Sequence, residues 1–244
     1  MSRPIIEAQQ LSKVYGALPV LRSIDLAIEK GQFVALLGAN GSGKTTFLRL
    51  LAGLTKPTSG ALRIGGWEFP KEAAAVRAQI GVVGHQLLLY PALSARENLR
   101  FFARLYNLSG RAAEARIDAL IERVGLGLRA DDPVRTFSRG MGQRLSIARA
   151  LLHNPHILLL DEPYTGLDQD ASAMLDSLLQ EAYAEGHTII MITHGLDRAA
   201  RLANRAVILS RGKVALDLPT AGMDERLLAA QYAAALQTAE GIRG

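Results

Sequence analysis

The chain has 244 residues, of which 49% are hydrophobic and 21% charged, with no cysteine and a formal net charge of +5. This length is enough to bury a full core, as one large domain or as a domain with a subdomain. The absence of cysteine excludes disulfides, thiolate metal sites and haem attachment through a C-x-x-C-H motif, and it agrees with a reducing compartment.

The sequence has no apolar run of the length that crosses a bilayer, which is about 20 residues. The first seven residues lack the apolar centre of a signal peptide, so we expect the chain to stay in the cytosol. An isoelectric point near 9.7 would suit nucleic acid or an anionic membrane surface. The arginines between residues 96 and 135 are scattered rather than grouped, which favours an ordinary solvated surface.

The first part of the chain predicts three strands and a phosphate-binding loop. Strands are expected at Ile5–Leu11, Ile24–Ile28 and the apolar run Phe33–Leu37. The next nine residues, Gly38-Ala39-Asn40-Gly41-Ser42-Gly43-Lys44-Thr45-Thr46, fit the P-loop pattern G-x-x-x-x-G-K-[ST] without a gap. Apolar residues at helical spacing follow, as far as the stop signals Gly53 and Pro57.

A strand, a glycine loop and a helix in this order predict a site for the phosphates of a nucleotide. Glycines let the backbone curl so that its N–H groups surround an anion, and the helix N-terminus adds a positive dipole end. We expect Lys44 to reach the β- and γ-phosphates and the Thr45 hydroxyl to face Mg²⁺. The residues expected to bind the nucleotide here are Gly38, Asn40, Gly41, Ser42, Gly43, Lys44, Thr45 and Thr46.

The rest of the pattern predicts a sheet interrupted by helices. A strand at Ala61–Ile64 joins the first two strands in a small antiparallel layer, and a short helix ending near 76–79 precedes a buried strand at Ile80–Val83. From Leu87 to Pro155 the pattern is helical. Its three helices begin at the capping box Ser94-x-x-Glu97, at Ala112 and after Ser138. Strands return at Ile157–Leu160, Thr188–Thr193 and Ala206–Leu209, with a helix at about 171–185 and a helical tail from Thr220.

The predicted fold class is therefore α/β, with a parallel sheet core, a small antiparallel β layer and an inserted helical subdomain. The expected division is a nucleotide-binding core of residues 1–86 and 156–216, a helical subdomain of 87–155 and a C-terminal helical tail of 217–244.

Polar residues stand at the ends of predicted strands, where ligands bind in parallel sheets. Asp161 follows an apolar strand and is expected to hold Mg²⁺, and the next residue, Glu162, to orient or deprotonate an attacking water. His194, after another strand, is expected near the γ-phosphate. Alone, each has a structural alternative: a solvated strand end for the acids and a buried framework role for the histidine.

Three other segments are candidates on weaker signals. Gln86 follows the strand Ile80–Val83 and is expected to contact Mg²⁺ or the water, while His85 beside it is interpreted as structural. Tyr15 is either a ring that stacks on adenine or an ordinary edge aromatic. Ser138, in the run Phe137-Ser138-Arg139-Gly140-Met141-Gly142-Gln143-Arg144, begins a helix whose N-terminus is a second potential anion site.

Together these motifs resemble the ATP-binding subunits of ABC transporters over about residues 4 to 216. The residues that carry the resemblance are the P-loop Gly38–Thr45, Asp161-Glu162-Pro163 as the Walker B end, Thr165-Gly166-Leu167-Asp168 as the D-loop, His194 as the switch histidine, Gln86 as the Q-loop glutamine, Tyr15 as the adenine-stacking aromatic, and Phe137–Met141 in the place of the signature Leu-Ser-Gly-Gly-Gln. Phe137, Arg139 and Met141 depart from that signature, although Phe137 keeps an apolar side chain, whereas Ser138 and Gly140 keep it.

The resemblance implies ATP hydrolysis with Mg²⁺ in a head-to-tail dimer, formed with itself or with a paired ATPase subunit. Each site would combine the P-loop of one chain with Ser138 and Gly140 of the other, with Asp168 also at the nucleotide. Lys44, Glu162 and His194 are the implied catalytic residues, and Thr45, Gln86 and Asp161 the implied metal contacts. Transmembrane permease subunits would place the chain at the inner face of the cell membrane.

A narrower resemblance, carried by Gly84-His85-Gln86, Tyr90 and Ala95–Tyr106, is to ATPases of haem exporters used in cytochrome c maturation, with a generic exporter next. The apolar segment Leu87–Tyr90 is expected to receive a helix of the membrane partner, unless it is buried within the insert. A nucleic-acid- or ribosome-associated ATPase is the alternative function. A small-molecule kinase or GTPase shares the P-loop but not the signature.

Overall fold

A computed structural model describes residues 3–84 and 86–241, and His85 lies outside these residues. The strands, in chain order, are β1 (Ile6–Tyr15), β2 (Leu18–Ile28), β3 (Phe33–Leu37), β4 (Ser59–Ile64), β5 (Trp67–Phe69), β6 (Ile80–Val83), β7 (Ile157–Asp161), β8 (Thr188–Ile192), β9 (Arg205–Ser210) and β10 (Lys213–Pro219). The α-helices are α1 (Lys44–Leu51), α2 (Ala73–Ala78), α3 (Ala95–Leu105), α4 (Gly110–Arg123), α5 (Arg139–Leu151), α6 (Gln169–Ala184), α7 (Leu196–Leu202) and α8 (Glu225–Gly241).

The strands form two sheets. The larger sheet has the order β10-β9-β3-β8-β7-β6, and its neighbours are parallel except for the antiparallel edge strand β10. The smaller sheet has the order β2-β1-β4-β5 and is antiparallel throughout. The predicted α/β architecture, with its parallel core and antiparallel layer, is confirmed.

The larger sheet is buried on both faces because alternate residues of each central strand point into different cores. In β3, Phe33 and Leu37 join a core shared with helices α3 to α8, whereas Val34 and Leu36 join a core shared with α1 and the smaller sheet. This two-sided burial explains why the central strands appear in the sequence as continuous apolar runs rather than as alternating patterns.

The helical insert consists of α3, α4 and α5, between β6 and β7. The capping box predicted at its start is present: the Ser94 hydroxyl accepts a hydrogen bond from the Glu97 N–H at 3.1 Å, and the Glu97 carboxylate accepts one from the Ser94 N–H at 2.8 Å. The fully buried Asn98 bonds to the main chain of Tyr90, Leu93 and Ser94, and so fixes the loop that leads into the helix.

The last helix of the insert is bound closely to the edge strand β6. Arg149 donates to the Val82 carbonyl at 2.7 Å, and His153 Nε2 lies 3.1 Å from the Ile80 carbonyl oxygen. Between them, Gly81 approaches the helix so closely that a Cβ there would lie 2.3 Å from the Ala150 carbonyl oxygen. These contacts make the C-terminal end of α5 and β6 one rigid unit.

Several short elements were not predicted from the sequence: the strands β5 and β10, the helix α7, and two 3₁₀ helices at Gly127–Arg129 and Val134–Thr136. The strand β10 crosses residue 217, where the sequence interpretation began a helical tail; the helix α8 begins only at Glu225. Within the described residues, none of the helices is both long and apolar enough to span a membrane.

The stacked pair Tyr106 and His153 predicts a measurable pH dependence of stability. The rings lie 3.8 Å apart and nearly parallel, and the pKa of His153 falls to about 4, mainly through burial. Its bond to Ile80 opposes this shift, while Arg116 and Arg149 lower the pKa further. His153 Nδ1 is buried with no hydrogen-bond partner among the described residues, so a proton there would be unsatisfied.

The unfolded chain, with a histidine pKa near 6.5, binds this proton first as the pH falls. The stabilisation is therefore complete above about pH 6.5 and is lost toward pH 4. We expect His153→Phe to reduce the fall in unfolding free energy between pH 7.5 and pH 5 by on the order of 1 kcal/mol, after allowance for the partial exposure of His153. Urea unfolding at pH 7.5 and pH 5 measures the difference, with the exposed His156→Gln as control. An unchanged slope in His153→Phe would contradict the assignment.

Candidate active site

The candidate site is a cleft at the carboxyl ends of three adjacent strands, β3, β8 and β7. The cleft has a volume of about 420 Å³. Parallel strands end at the same edge of a sheet, so the segments that follow them converge there. The cleft is lined by Leu18, Val20, Asn40, Gly41, Ser42, Gly43, Lys44, Thr45, Thr46, Asp161, Glu162, Ile192 and His194.

The glycines of the P-loop are required by its backbone geometry. Gly38, Gly41 and Gly43 all have positive φ angles, of 148°, 77° and 107°, in the region that favours glycine. A Cβ on Gly38 would lie 2.3 Å from the Leu209 carbonyl oxygen, and one on Gly43 would lie 2.6 Å from a Leu21 methyl. The loop therefore curls against β9 and β2 in a way that larger residues would prevent.

Lys44 lies at the base of this cleft and is buried. Its ammonium donates to the carbonyls of Gly38 at 2.7 Å and Ala39 at 3.1 Å, which leaves one of its three N–H groups for a ligand. Burial lowers the pKa of Lys44, and the carboxylates of Glu162 and Asp161 oppose that shift. The site therefore combines one buried cation with two acids.

Glu162 has an unusual backbone. It directly follows β7 with a φ of 50°, uncommon for a residue with a side chain, and its N–H is fixed by a 3.1 Å bond to the Ile192 carbonyl. Burial raises the pKa of the Glu162 carboxyl, while His194 and Lys44 lower it. A carboxylate with a raised pKa accepts a proton more readily, which suits the general base predicted at this position.

His194 lies beside this carboxylate, after the end of β8. Its Nε2 is 3.2 Å from Glu162 Oε1, and its side chain is 55% exposed, so the ring stands at the mouth of the cleft. Lys44, Asp161, Glu162 and His194 were predicted from separate segments of the sequence. They line one cleft, which is the arrangement expected of residues that act on one phosphate group.

The residues present fit a magnesium-bound nucleotide. The Ser42 hydroxyl is buried without a hydrogen-bond partner in the described part of the chain, so a bound nucleotide could satisfy it. The hydroxyl of Thr45 and the carboxylate of Asp161, both in the cleft lining, are the hard oxygen donors that Mg²⁺ takes.

Gly38, whose carbonyl accepts from Lys44, is not part of the cleft lining, and the predicted nucleotide residues Tyr15, Gln86 and Asp168 also stand outside it. Tyr15 is 43% exposed at the end of β1, with the Lys13 ammonium 4.8 Å from its ring centre, and its strand partner Leu18 reaches the cleft. Gln86 is exposed on the loop after β6. Asp168 caps α6 by accepting from the Ala171 N–H at 2.8 Å. Their predicted contacts with the nucleotide or the metal stay predictions.

Ser138 and Gly140 also lie outside the cleft, at the N-terminus of α5. The Ser138 hydroxyl caps the helix by accepting from the Met141 N–H at 3.2 Å. A Cβ on Gly140 would lie 2.9 Å from the Ala171 methyl, so this glycine permits close packing against the start of α6. Within one chain, this helix start does not contribute to the cleft around Lys44.

Arg139, which departs from the resembled signature, makes a specific contact within the chain. Its Nε donates to the Thr165 carbonyl at 2.7 Å, and its side chain lies over Gly166, where a Cβ would be 2.7 Å from the same nitrogen. Gly166 has a φ of 74°. The arginine thus ties the start of α5 to the loop that follows Glu162.

A side-chain network near the site was missed in the sequence analysis. The Tyr164 hydroxyl donates to Asp176 at 2.6 Å, and the Arg198 guanidinium lies 4.2 Å from the Tyr164 ring centre. Burial, with the Asp176 carboxylate, raises the pKa of Tyr164. The network connects the segments that follow Glu162 and His194. No short motif marks it, because its members are 12 and 22 residues apart. The cleft residues Leu18 and Val20 were also missed, because no short motif marks them either.

The fold and the cleft define a P-loop nucleotide-binding domain with a helical insert. Residues 21–165 match the sequence model of a family described as "ABC transporter". The chain therefore belongs to the ABC transporter family, as an ATP-binding ATPase domain, and the predicted family is confirmed.

Similar proteins agree with this assignment. The Nod factor export ATP-binding protein I of Cupriavidus pinatubonensis is 42% identical over 209 residues, which are 86% of this chain and 64% of that protein. The match therefore spans less than two thirds of that relative's length. A solved ATP-binding subunit of an ABC transporter superposes with a TM-score of 0.84 at 31% identity, covering 94% of this chain and 99% of the other.

A second solved structure is the ATP-binding cassette MJ0796, described as a dimer in a post-hydrolysis state bound to ADP and Pi. It superposes with a TM-score of 0.80 at 29% identity, covering 89% of this chain and all of that chain.

The contact between Arg139 and Thr165 gives a prediction. Arg139→Ala removes the donor, so we expect the amides of residues 165–167 to exchange hydrogen faster, by about three- to tenfold, as a loop bond of about 1 kcal/mol is lost. Hydrogen–deuterium exchange measures this effect. Arg135→Ala, an exposed arginine four residues earlier, is the control. Equal exchange rates at residues 165–167 in both variants would show that the bond from Arg139 to the Thr165 carbonyl does not restrain this loop.

Proposed function

We propose that this chain is the ATP-hydrolysing motor subunit of an ABC transporter. The observation that carries the proposal is the convergence of Lys44, Asp161, Glu162 and His194 in one cleft at the carboxyl ends of adjacent strands. Each has the chemistry of a different part of phosphoryl transfer: a cation for the phosphates, a metal-binding carboxylate, a base and a polar contact for the transferred group.

In the proposed mechanism the P-loop binds the phosphates of ATP. Lys44 offsets the charge of the β- and γ-phosphates, and Thr45 with Asp161 would hold Mg²⁺. Bound Mg²⁺ neutralises charge that develops on the phosphate oxygens. Glu162 accepts a proton from the attacking water. His194, whose Nε2 lies 3.2 Å from that carboxylate, orients the water toward the γ-phosphate.

The active form is proposed to be a head-to-tail dimer, with a second copy or a paired ATPase subunit. Ser138 is exposed at the start of α5, outside the cleft of its own chain, so its cap and Gly140 are available to another molecule. A helix N-terminus with free N–H groups binds phosphate well. MJ0796, a similar cassette described as a dimer, supports dimerisation.

A permease is the proposed membrane partner, and its docking surface is the segment Gln86–Leu93. Leu88 and Tyr90 in this segment are 54% and 47% exposed. This exposure argues against the alternative that the apolar run is buried in the insert. The Tyr90 ring packs against Phe101 at 4.7 Å, and Asn98 holds its main chain, so the apolar side chains sit on a rigid base. Docking there would place the chain on the cytoplasmic face of the membrane.

Export is the proposed direction of transport, because the 42% identical relative is named as a Nod factor export protein. Haem for cytochrome c maturation, the cargo suggested by the run Ala95–Tyr106, stays a prediction, and the names of the reported relatives do not support it. Cargo recognition belongs to sites in the membrane subunits.

The proposed base is tested by Glu162→Gln. The amide keeps the shape but accepts no proton, so we expect ATP turnover to fall at least about 100-fold while ATP binding persists and dimers accumulate. Turnover, equilibrium nucleotide binding and light scattering measure the three outcomes. If the variant hydrolyses ATP at the wild-type rate, Glu162 is not the base. If the wild-type chain itself does not bind ATP, the proposed function is wrong.

The proposed docking surface is tested by Leu88→Asp. A charge in the centre of an apolar contact should reduce association with the permease about tenfold or more, with nucleotide affinity unchanged. Leu128→Asp is the matched control, because Leu128 is fully exposed elsewhere on the insert. Co-purification from membranes gives the readout, and equal recovery of the two variants would exclude this surface.

A further inference from the structure

A second cavity lies at the opposite edge of the larger sheet from the nucleotide cleft. Its lining includes Lys30, His156 and His187, which precede β3, β7 and β8 respectively, so it stands at the amino ends of these strands. Its other wall is formed by α4 and the end of α5. At about 630 Å³ it is larger than the nucleotide cleft, and none of the predicted catalytic residues lines it.

One wall carries Arg116, which forms no salt bridge among the described residues. Arg116 donates to the carbonyls of Leu152 at 2.6 Å and Leu151 at 2.7 Å, at the C-terminal end of α5. Those carbonyls fix the guanidinium plane but carry no full negative charge. Burial, with the neighbouring Arg123, lowers the pKa of Arg116, and the Glu185 carboxylate opposes that shift. Because Glu185 is already bound to Arg123, an anion in the cavity would pair with the Arg116 guanidinium.

Arg123, two helical turns further along α4, has an unsatisfied donor. Its Nε and Nη1 bind Glu181 at 3.2 Å and Glu185 at 3.0 Å. Its Nη2 is buried and has no hydrogen-bond partner in the described residues. A buried guanidinium N–H without an acceptor is costly, and an oxygen atom in the cavity would satisfy it.

The cavity lining has an excess of positive charge. Among the residues that the structure describes, three cations line it, Lys30, Arg116 and Arg123, against one carboxylate, that of Glu185. The buried His187 is held by a 2.6 Å bond between its Nδ1 and the Pro155 carbonyl. The wall also includes apolar side chains, among them Leu120 and Leu151. This is the lining of a pocket with one highly polar end and some apolar surface.

We propose that this cavity is a binding site for a small phosphate-bearing molecule, such as a phosphomonoester, whose phosphate lies between Arg116 and Arg123. Phosphate presents several oxygens to two guanidinium groups and carries more charge than a carboxylate. The walls come from both the nucleotide-binding core and the helical insert, so the bound anion bridges them. The site does not depend on the proposed transport function.

The cavity shape favours a small molecule over a macromolecule. A volume of this size is in the range of pockets that enclose small ligands, whereas a phosphorylated chain or a membrane surface meets flatter or more open basic surfaces. The adjoining apolar wall would contact the organic part of the ligand.

The test is isothermal titration of the full chain with pyrophosphate and with phenyl phosphate, in the presence of saturating Mg-ADP to occupy the P-loop. We expect one further site, with benzoate binding at least about tenfold more weakly than phenyl phosphate. Arg116→Gln and Arg123→Gln should each weaken this site about tenfold or more. Arg111→Gln is the matched control: it lies exposed on the same helix, outside the cavity.

Two further variants keep the proposal testable if the arginine variants fold poorly. Lys30→Gln changes an exposed side chain and should weaken binding several-fold, whereas Glu185→Gln removes the one carboxylate of the lining and should tighten it several-fold. Binding must also slow hydrogen exchange at residues 151–156 and 185–188. A merely structural role for these charges would not produce opposite shifts in affinity.

Three results would overturn the proposal. The first is no saturable binding of either phosphate probe at millimolar concentration. The second is binding that responds equally to Arg111→Gln and to the cavity variants. The third is association only with vesicles that contain phosphatidic acid, without binding of the free phosphates, which would identify a lipid surface instead.

Discussion

The candidate active site depends on the parallel pairing of β3, β8 and β7. These strands are neighbours in the sheet although about 120 residues separate β3 from β7 in the chain. Their pairing brings the P-loop, the Asp161-Glu162 pair and His194 to one edge. The apolar burial on both faces fixes the register, since a slip of one residue would reverse the side chains in both cores. The chemistry of the cleft is therefore specified by hydrophobic packing beneath it.

The retained signature positions and the substituted Arg139 have different structural consequences. Gly140 is retained where a side chain would strike Ala171, and Ser138 is retained where a hydroxyl caps the helix. Arg139 adds a bond to Thr165 that a glycine would lack. This substitution therefore does not remove the helix cap. It restrains the loop after Glu162, and thus links the surface proposed to meet a second molecule with the proposed base of the same chain.

Much of the fold and of the cleft was predictable from the sequence because the signals are local. The P-loop pattern, the apolar strands and the Ser94 capping box each depend on residues within one segment. The strand β10 was missed although its exposed and half-buried residues alternate regularly, because none of them is fully buried and the Ala-rich helical segment follows soon after. The network of Tyr164, Asp176 and Arg198, the tie from Arg139 and the basic cavity come from residues far apart in sequence. They needed the tertiary structure, because no pattern in the chain brings such residues together.

The attachment of α5 to β6 has a mechanical consequence. At 13 residues, α5 is a stiff rod of about 20 Å, with Ser138 at one tip and the joint to Ile80 and Val82 at the other. The loop carrying Leu88 begins where β6 ends, and the Leu87 carbonyl accepts a bond from Ser146 midway along the rod at 3.2 Å. A force on that loop would therefore act on α5 through Ser146, and any rotation about the joint would displace the Ser138 end most.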